Sequence, residues 1–270
     1  KNSTVYSADT KSENYLSLSF KSILPLKKSN SKFISNLTPK FLARYSPSKS
    51  ENMINDDKKI NITNIFSNNR LGLSDSLEGG QSLTLGVDYD LTDSDDRELL
   101  GVSLAQVFRD KKDKRLPITS KMRDKSSDIV GNLNFNPNKF IKFNYDFSLD
   151  NNLDTANYNK FETSLSINNF ITSFEFLEEN NEIGSESYLT TDMNYSFNSK
   201  NSLSYSTRRN RKTNLTEFYN LIYEYRNDCL VAAIEYNKDY YQDRDLQPTE
   251  EIFFSISFTP FTSVNLPNIK

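Results

Sequence analysis

The chain has 270 residues with 33 basic and 36 acidic side chains, a formal charge of −3, so no basic field marks a nucleic-acid partner. It has no His and a single Cys, which removes Ser-His-Asp catalysis, a His general base, most zinc sites and an internal disulfide framework. Hydrophobic residues make up only 36% while aromatics reach 13%, with 15 Tyr and 19 Phe; that balance is odd for a soluble core and is expected of a membrane barrel with an apolar outer band, aromatic girdles and a polar lumen.

No apolar stretch is long enough for a transmembrane helix, and no segment of helical period has useful length. In chain order, residues 15–24 and 40–46 are irregular strand candidates. Residues 81–92 alternate strictly: Leu83, Leu85, Val87, Tyr89 and Leu91 fall on one face, and Thr84, Gly86, Asp88 and Asp90 on the other. That two-residue period is the signature of a strand with two different environments. Residues 98–109 and 128–136 are less regular, and 141–150 return to strict alternation, with Ile141, Phe143, Tyr145, Phe147 and Leu149 opposing polar neighbours. Residues 161–168 alternate too, followed by 170–177, 189–198, 202–209, 215–226 and 230–239. The run 251–259 closes the series, with Ile252, Phe254, Ile256 and Phe258 on its outer row. This makes about 13 candidate strands, of the length of about 9–11 residues that a tilted membrane strand needs.

Connections alternate in type. Asn136-Pro137-Asn138-Lys139 and Asn198-Ser199-Lys200-Asn201 are short turns, while residues 110–127 and 240–249 are long polar loops. Short periplasmic turns opposite long external loops are the habit of outer-membrane barrels. No linker divides the chain, and no phosphate loop, metal-ligand cluster or cofactor motif appears. The fold expected is all-β, an antiparallel transmembrane barrel present in part. A diffusion porin satisfies the same pattern, and so does a soluble β-rich surface or adhesin protein, because a sandwich alternates as well.

The stretch from Asn64 to Gly86 does not read as an ordinary hairpin. Phe66, Arg70, Gly72, Asp75, Gln81, Thr84 and Gly86 stand where a segment of the outer-membrane lipopolysaccharide-assembly family (LptD, OstA or Imp) has its Leu-Phe, its Arg, its Gly and Asp, and a strand of the type Gln-Val-Thr-Xaa-Gly. Residues 101–108 resemble that family's next strand, with Ala105 in place of a glycine. Residues 37–47 resemble its proline-bearing strand upstream, and Tyr225-Arg226-Asn227-Asp228-Cys229 its Tyr-Arg-Asp-Glu-Cys run near the end.

The resemblance implies a C-terminal region, residues 1–270, of a barrel of about twice this many strands, with the first barrel strands and a periplasmic jellyroll domain absent. It implies a translocon and not an enzyme, with no cofactor. Its partners would be lipopolysaccharide, a lumen-plugging lipoprotein, the periplasmic lipopolysaccharide-bridge components and outer-membrane lipid. Lipopolysaccharide would enter the outer leaflet through a lateral opening beside the final strand, 251–259. Cys229 would pair with a cysteine outside these residues in the intact protein, or else be an inert small filler. Arg70 and Asp75 could form a lumenal salt bridge or belong to a solvated loop. Residues 208–212 are basic enough to meet lipid phosphates, or form an exposed hairpin tip; residues 93–96 could chelate a divalent cation, or form a solvated acidic turn.

Overall fold

The computed structural model describes residues 16–54, 56, 58–71, 77–180, 185–240 and 247–258, and the backbone of 262–265. Its strands are β1 (Leu18–Ile23), β2 (Leu26–Ser29), β3 (Phe33–Ser46), β4 (Gly80–Asp93), β5 (Glu98–Arg109), β6 (Ile129–Asn138), β7 (Ile141–Leu149) and β8 (Ala156–Ile167). They continue as β9 (Phe170–Asn180), β10 (Ser185–Asn198), β11 (Asn201–Asn210), β12 (Leu215–Arg226), β13 (Leu230–Asp239), β14 (Thr249–Phe258) and β15 (Thr262–Asn265). Among the described residues the only helical element is a 3-10 turn at Thr119–Lys121.

All 15 strands lie in one sheet, and each strand from β3 onward is hydrogen-bonded to its sequence neighbours. Every pairing is antiparallel. The all-β antiparallel architecture is therefore as the alternation predicts. β1 and β15, the two ends of the order, are not paired with one another.

Three strands differ from the sequence reading. β1 and β2 share one edge of β3: β1 pairs with Lys40–Tyr45 and β2 with Ile34–Leu37. The break between them holds Pro25, close to Pro39 of β3, with Leu24 N donating to Pro39 O at 3.0 Å. Proline cannot donate a ladder hydrogen bond, so two prolines at one level interrupt a single rung while the chain continues on both sides. That is why β3 starts at Phe33 and not at Lys40. β15 is the third difference: it pairs with Ser255–Phe258, so the strand read from residues 251–259 is not the last. Its four residues are too few to show a period.

Register joins the alternating rows into two continuous faces. Leu83 lies opposite Ala43 and Phe108, Tyr145 opposite Leu133 and Phe161, Leu221 opposite Tyr205 and Tyr236, and Phe254 opposite Ile234. On the other face Asn144 lies opposite Asn134 and Glu162, and Asn220 opposite Ser206 and Asn237. The apolar face has no protein cover among the described residues: Leu85 is 45% exposed and Phe258 47%. Hydrogen bonds link the polar face sideways, as from Asn132 to Asp146 (2.7 Å) and from Asn144 to Glu162 (3.1 Å).

The ends of the sheet differ as well. Connections 30–32, 94–97, 139–140, 168–169, 199–200 and 227–229 are short and share one end. The opposite end carries 47–79 and 110–128, and the described residues of these two fold onto the polar face. Met53, Ile60, Ile65 and Leu71 of the first, with Leu116 and Met122 of the second, bury themselves against Ala105, Val107 and Val130. This is the hydrophobic core among the described residues, and it lies where a barrel has its lumen.

Candidate functional site

One row across three strands carries an unusual charge pattern. Arg44 of β3 faces Ser82 of β4, which faces Arg109 of β5. Both arginines sit at the parity of the polar face. Gly80, with φ +81°, lets the chain enter β4 from a direction few side-chain-bearing residues permit. Glu78, two residues before it, lies over the row. Arg70 arrives from the same connection and grips Glu78 through two bonds, Nε to Oε2 at 2.9 Å and Nη2 to Oε1 at 2.6 Å. Arg70 also donates to Ser82 Oγ (2.9 Å) and Thr84 Oγ1 (3.4 Å). Arg109 pairs with Glu78 Oε1, and Arg44 donates to the Glu78 backbone carbonyl.

The cluster is closed to solvent: Arg44, Arg70 and Glu78 are 3%, 2% and 0% exposed. Among the described residues, three guanidinium groups thus share one carboxylate. Burial lowers the Arg70 pKa to about 10, which leaves it charged at neutral pH. Arg44 Nε and Nη1 have no hydrogen-bond partner. Among the described residues the cluster holds more positive than negative charge away from water, which is costly except where the charges are paired and hydrogen-bonded. Here it ties the 47–79 connection to β3, β4 and β5 at once.

The rows above the cluster seat the rest of the connection. Thr84 is fully buried between Leu42 and Val107. At Gly86 the Phe66 ring comes so close that a Cβ would stand 2.7 Å from its Cζ and 2.9 Å from Ala105 Cβ. Lys21 and Lys40 reach over the same ring, at 6.0 and 5.8 Å from its centre. Further along, Lys59 pairs with Glu179 of β9 at 2.6 Å and lies 5.0 Å from the Tyr158 ring. The connection therefore spans the polar face from β1 to β9.

Of the motif residues, Phe66, Arg70, Thr84 and Gly86 come together here; Gln81 lies on the apolar face beside them, in the row of Tyr45. Gly72 and Asp75 lie outside the described residues, and the carboxylate found at Arg70 is that of Glu78. Arg44, Arg109 and Glu78 were missed by the sequence reading. The two arginines were legible only as polar-face residues at strand ends, and nothing in the spacing singles out Glu78.

The remaining candidates lie apart. Cys229 is a free, exposed thiol in the turn between β12 and β13, its N–H bonded to Asn227 Oδ1 at 2.9 Å. Ile252, Phe254, Ile256 and Phe258 share the apolar face of β14. Residues 93–96 form a turn closed on itself, with Asp93 Oδ1 accepting from Asp95 N (2.9 Å) and Arg97 N (3.0 Å). No group of potential metal ligands gathers among the described residues. At the β11–β12 tip Arg208 pairs with Glu217 at 2.6 Å and stands over the Tyr188 ring.

Comparison with known proteins adds one finding. The family model described as LptD, LPS transport system D, matches residues 2–188, which include the charge cluster and the loop-covered half of the sheet. No curated protein matches the chain.

Proposed function

The chain belongs to the LptD family, the LPS transport system D proteins of the outer membrane, and from that premise we propose that it forms part of the wall of a translocon inserting lipopolysaccharide into the outer leaflet. The observation that carries this reading is the family match together with the two-faced sheet: an uncovered apolar face for lipid, and a polar face for the sugars. In this reading lipopolysaccharide leaves sideways near the C-terminal end of the strand order. The β14 row of Ile252, Phe254, Ile256 and Phe258 forms one apolar border of that opening, and β15 lies beside it. A lipoprotein would complete the filling of the lumen, and periplasmic bridge components would deliver the substrate at the short-turn end. In this reading Cys229, exposed at that end, pairs with a cysteine outside these residues. The work done is passage, without bond chemistry on the lipid.

A diffusion porin fits less well. Met53, Ile60, Ile65 and Leu71 bury themselves against the polar face at β5 and β6, where a porin keeps a water-filled channel. A soluble adhesin leaves the apolar face without a role.

The test compares charge on the two faces in the full-length protein. An Arg near the midplane of the lipid face costs about 2–4 kcal/mol and one on the lumen face little. Phe254→Arg should abolish insertion and the arrival of lipopolysaccharide at the cell surface; Ser255→Arg should leave insertion intact. Equal tolerance of the two would overturn the proposal, and so would normal surface lipopolysaccharide in cells lacking the protein.

A further inference from the structure

Two cavities adjoin at the loop end of β1, β3, β4 and β5. The first, about 620 Å³, is a groove on the apolar face lined by Leu18, Phe20, Ala43, Tyr45, Leu83 and Phe108. Register explains it: Phe20, Ala43, Leu83 and Phe108 form one row across four strands, and the small Ala43 leaves a trough between larger neighbours. The second, about 640 Å³, lies beyond the strand ends among the loops. It is lined by five cationic side chains (Lys49, Arg109, Lys111, Lys112 and Arg115) and two anionic ones, Asp110 and Asp113. Tyr45, Gln81, Arg109 and Asp110 line both.

The charges of the second cavity are only partly used. Asp113 accepts from Ser50 Oγ at 2.6 Å, Lys112 pairs with Asp124 at 2.9 Å, and Arg115 donates to Ser50 O at 3.2 Å. Lys49 and Lys111 are exposed and have no carboxylate partner among the described residues. An apolar trough running into a cavity with surplus cations matches an amphiphile with acyl chains and an anionic head. Cations from two connections, Lys49 from one and Lys111 and Arg115 from the other, suit a head carrying more than one phosphate.

We propose that these cavities hold one lipopolysaccharide molecule of the surrounding leaflet as a fixed lipid of the wall, with an acyl chain over Ala43 and its phosphates among Lys49, Lys111 and Arg115. The site is built on β1, β3, β4 and β5 and shares no residue with the β14 row that borders the opening proposed above. It rests on the long connections facing the cell exterior, and not on the route of transport.

The experiment uses the full-length protein in phosphatidylcholine nanodiscs, with retained lipid read by native mass spectrometry after adding lipid A. One lipid A should stay bound. Retention should weaken on the order of tenfold for dephosphorylated lipid A and for the surface double variant K49Q/K111Q. A43F, which fills the trough, should weaken it similarly while keeping the gel mobility of the folded protein. Equal retention of lipid A and its dephosphorylated form, or by K49Q/K111Q and the parent, would overturn the proposal. So would retention of phosphatidylglycerol as strong as that of lipid A, which would mark a general anionic-lipid site. The readout involves no transport, so its failure and that of the translocon reading are told apart.

Discussion

At the scale of single residues, the Arg44–Arg70–Arg109–Glu78 cluster makes Glu78 the least replaceable carboxylate described. Removing one partner of a buried ion pair costs about 3–5 kcal/mol, because the opposite charge stays buried and uncompensated. E78Q leaves three guanidinium groups around a neutral amide. It should lower the stability of the folded protein by at least that much, measured as the urea midpoint of refolding into micelles. Adding R70M to E78Q should recover part of the loss, and a double variant no better than E78Q would show that repulsion is not the cause. The sequence reading singled out Arg70, with Asp75 as a salt-bridge partner or part of a solvated loop; Asp75 lies outside the described residues, and Glu78, which the spacing does not single out, is brought onto the arginine by the turn at Gly80.

At the scale of elements, the short turns repeat one device. Asn30, Asn138, Asn198 and Asn227 each stand at the first turn position, and each accepts two backbone N–H groups through Oδ1. An Asn side chain bonded to the backbone two residues on mimics a turn of the main chain and satisfies donors the ladder leaves open. The abundance of Asn thus has a structural use at this end of the sheet. N198A should cost about 1–2 kcal/mol through the two lost bonds, seen as a lower urea midpoint, whereas N152A, at an exposed position of the β7–β8 connection, should cost less. The strands themselves were legible because each carries one apolar and one polar parity. β2 and β15 escaped because four residues give only two repeats of that period, and the first half of β3 escaped because Pro39 reads as a stop.

At the scale of the whole molecule, part of the polar face is covered by the chain's own connections, and this bears on permeability. The buried Met53, Ile60, Ile65 and Leu71 each contribute about 1.5–3 kcal/mol by leaving water, enough together to hold residues 47–71 in place. Deleting residues 51–71 from the full-length protein should leave the strands paired and open the polar face. The expected outcome is a steady ion conductance in planar bilayers without any partner, and greater sensitivity of cells to large antibiotics. Unchanged conductance would mean that the connection does not close the path.

The sequence by itself determined the two-faced antiparallel strands, the side each residue takes, the alternation of short and long connections, and the family likeness around residues 64–86. These are local properties: a period of two residues and a run of neighbouring side chains carry them. Only the tertiary structure decided that residues 47–71 fold back over the polar face, that Glu78 serves three arginines from three separate segments, and that β14 has a further strand beside it. Those depend on long-range register and on where a turn points the chain, and neither leaves a periodic mark in the sequence.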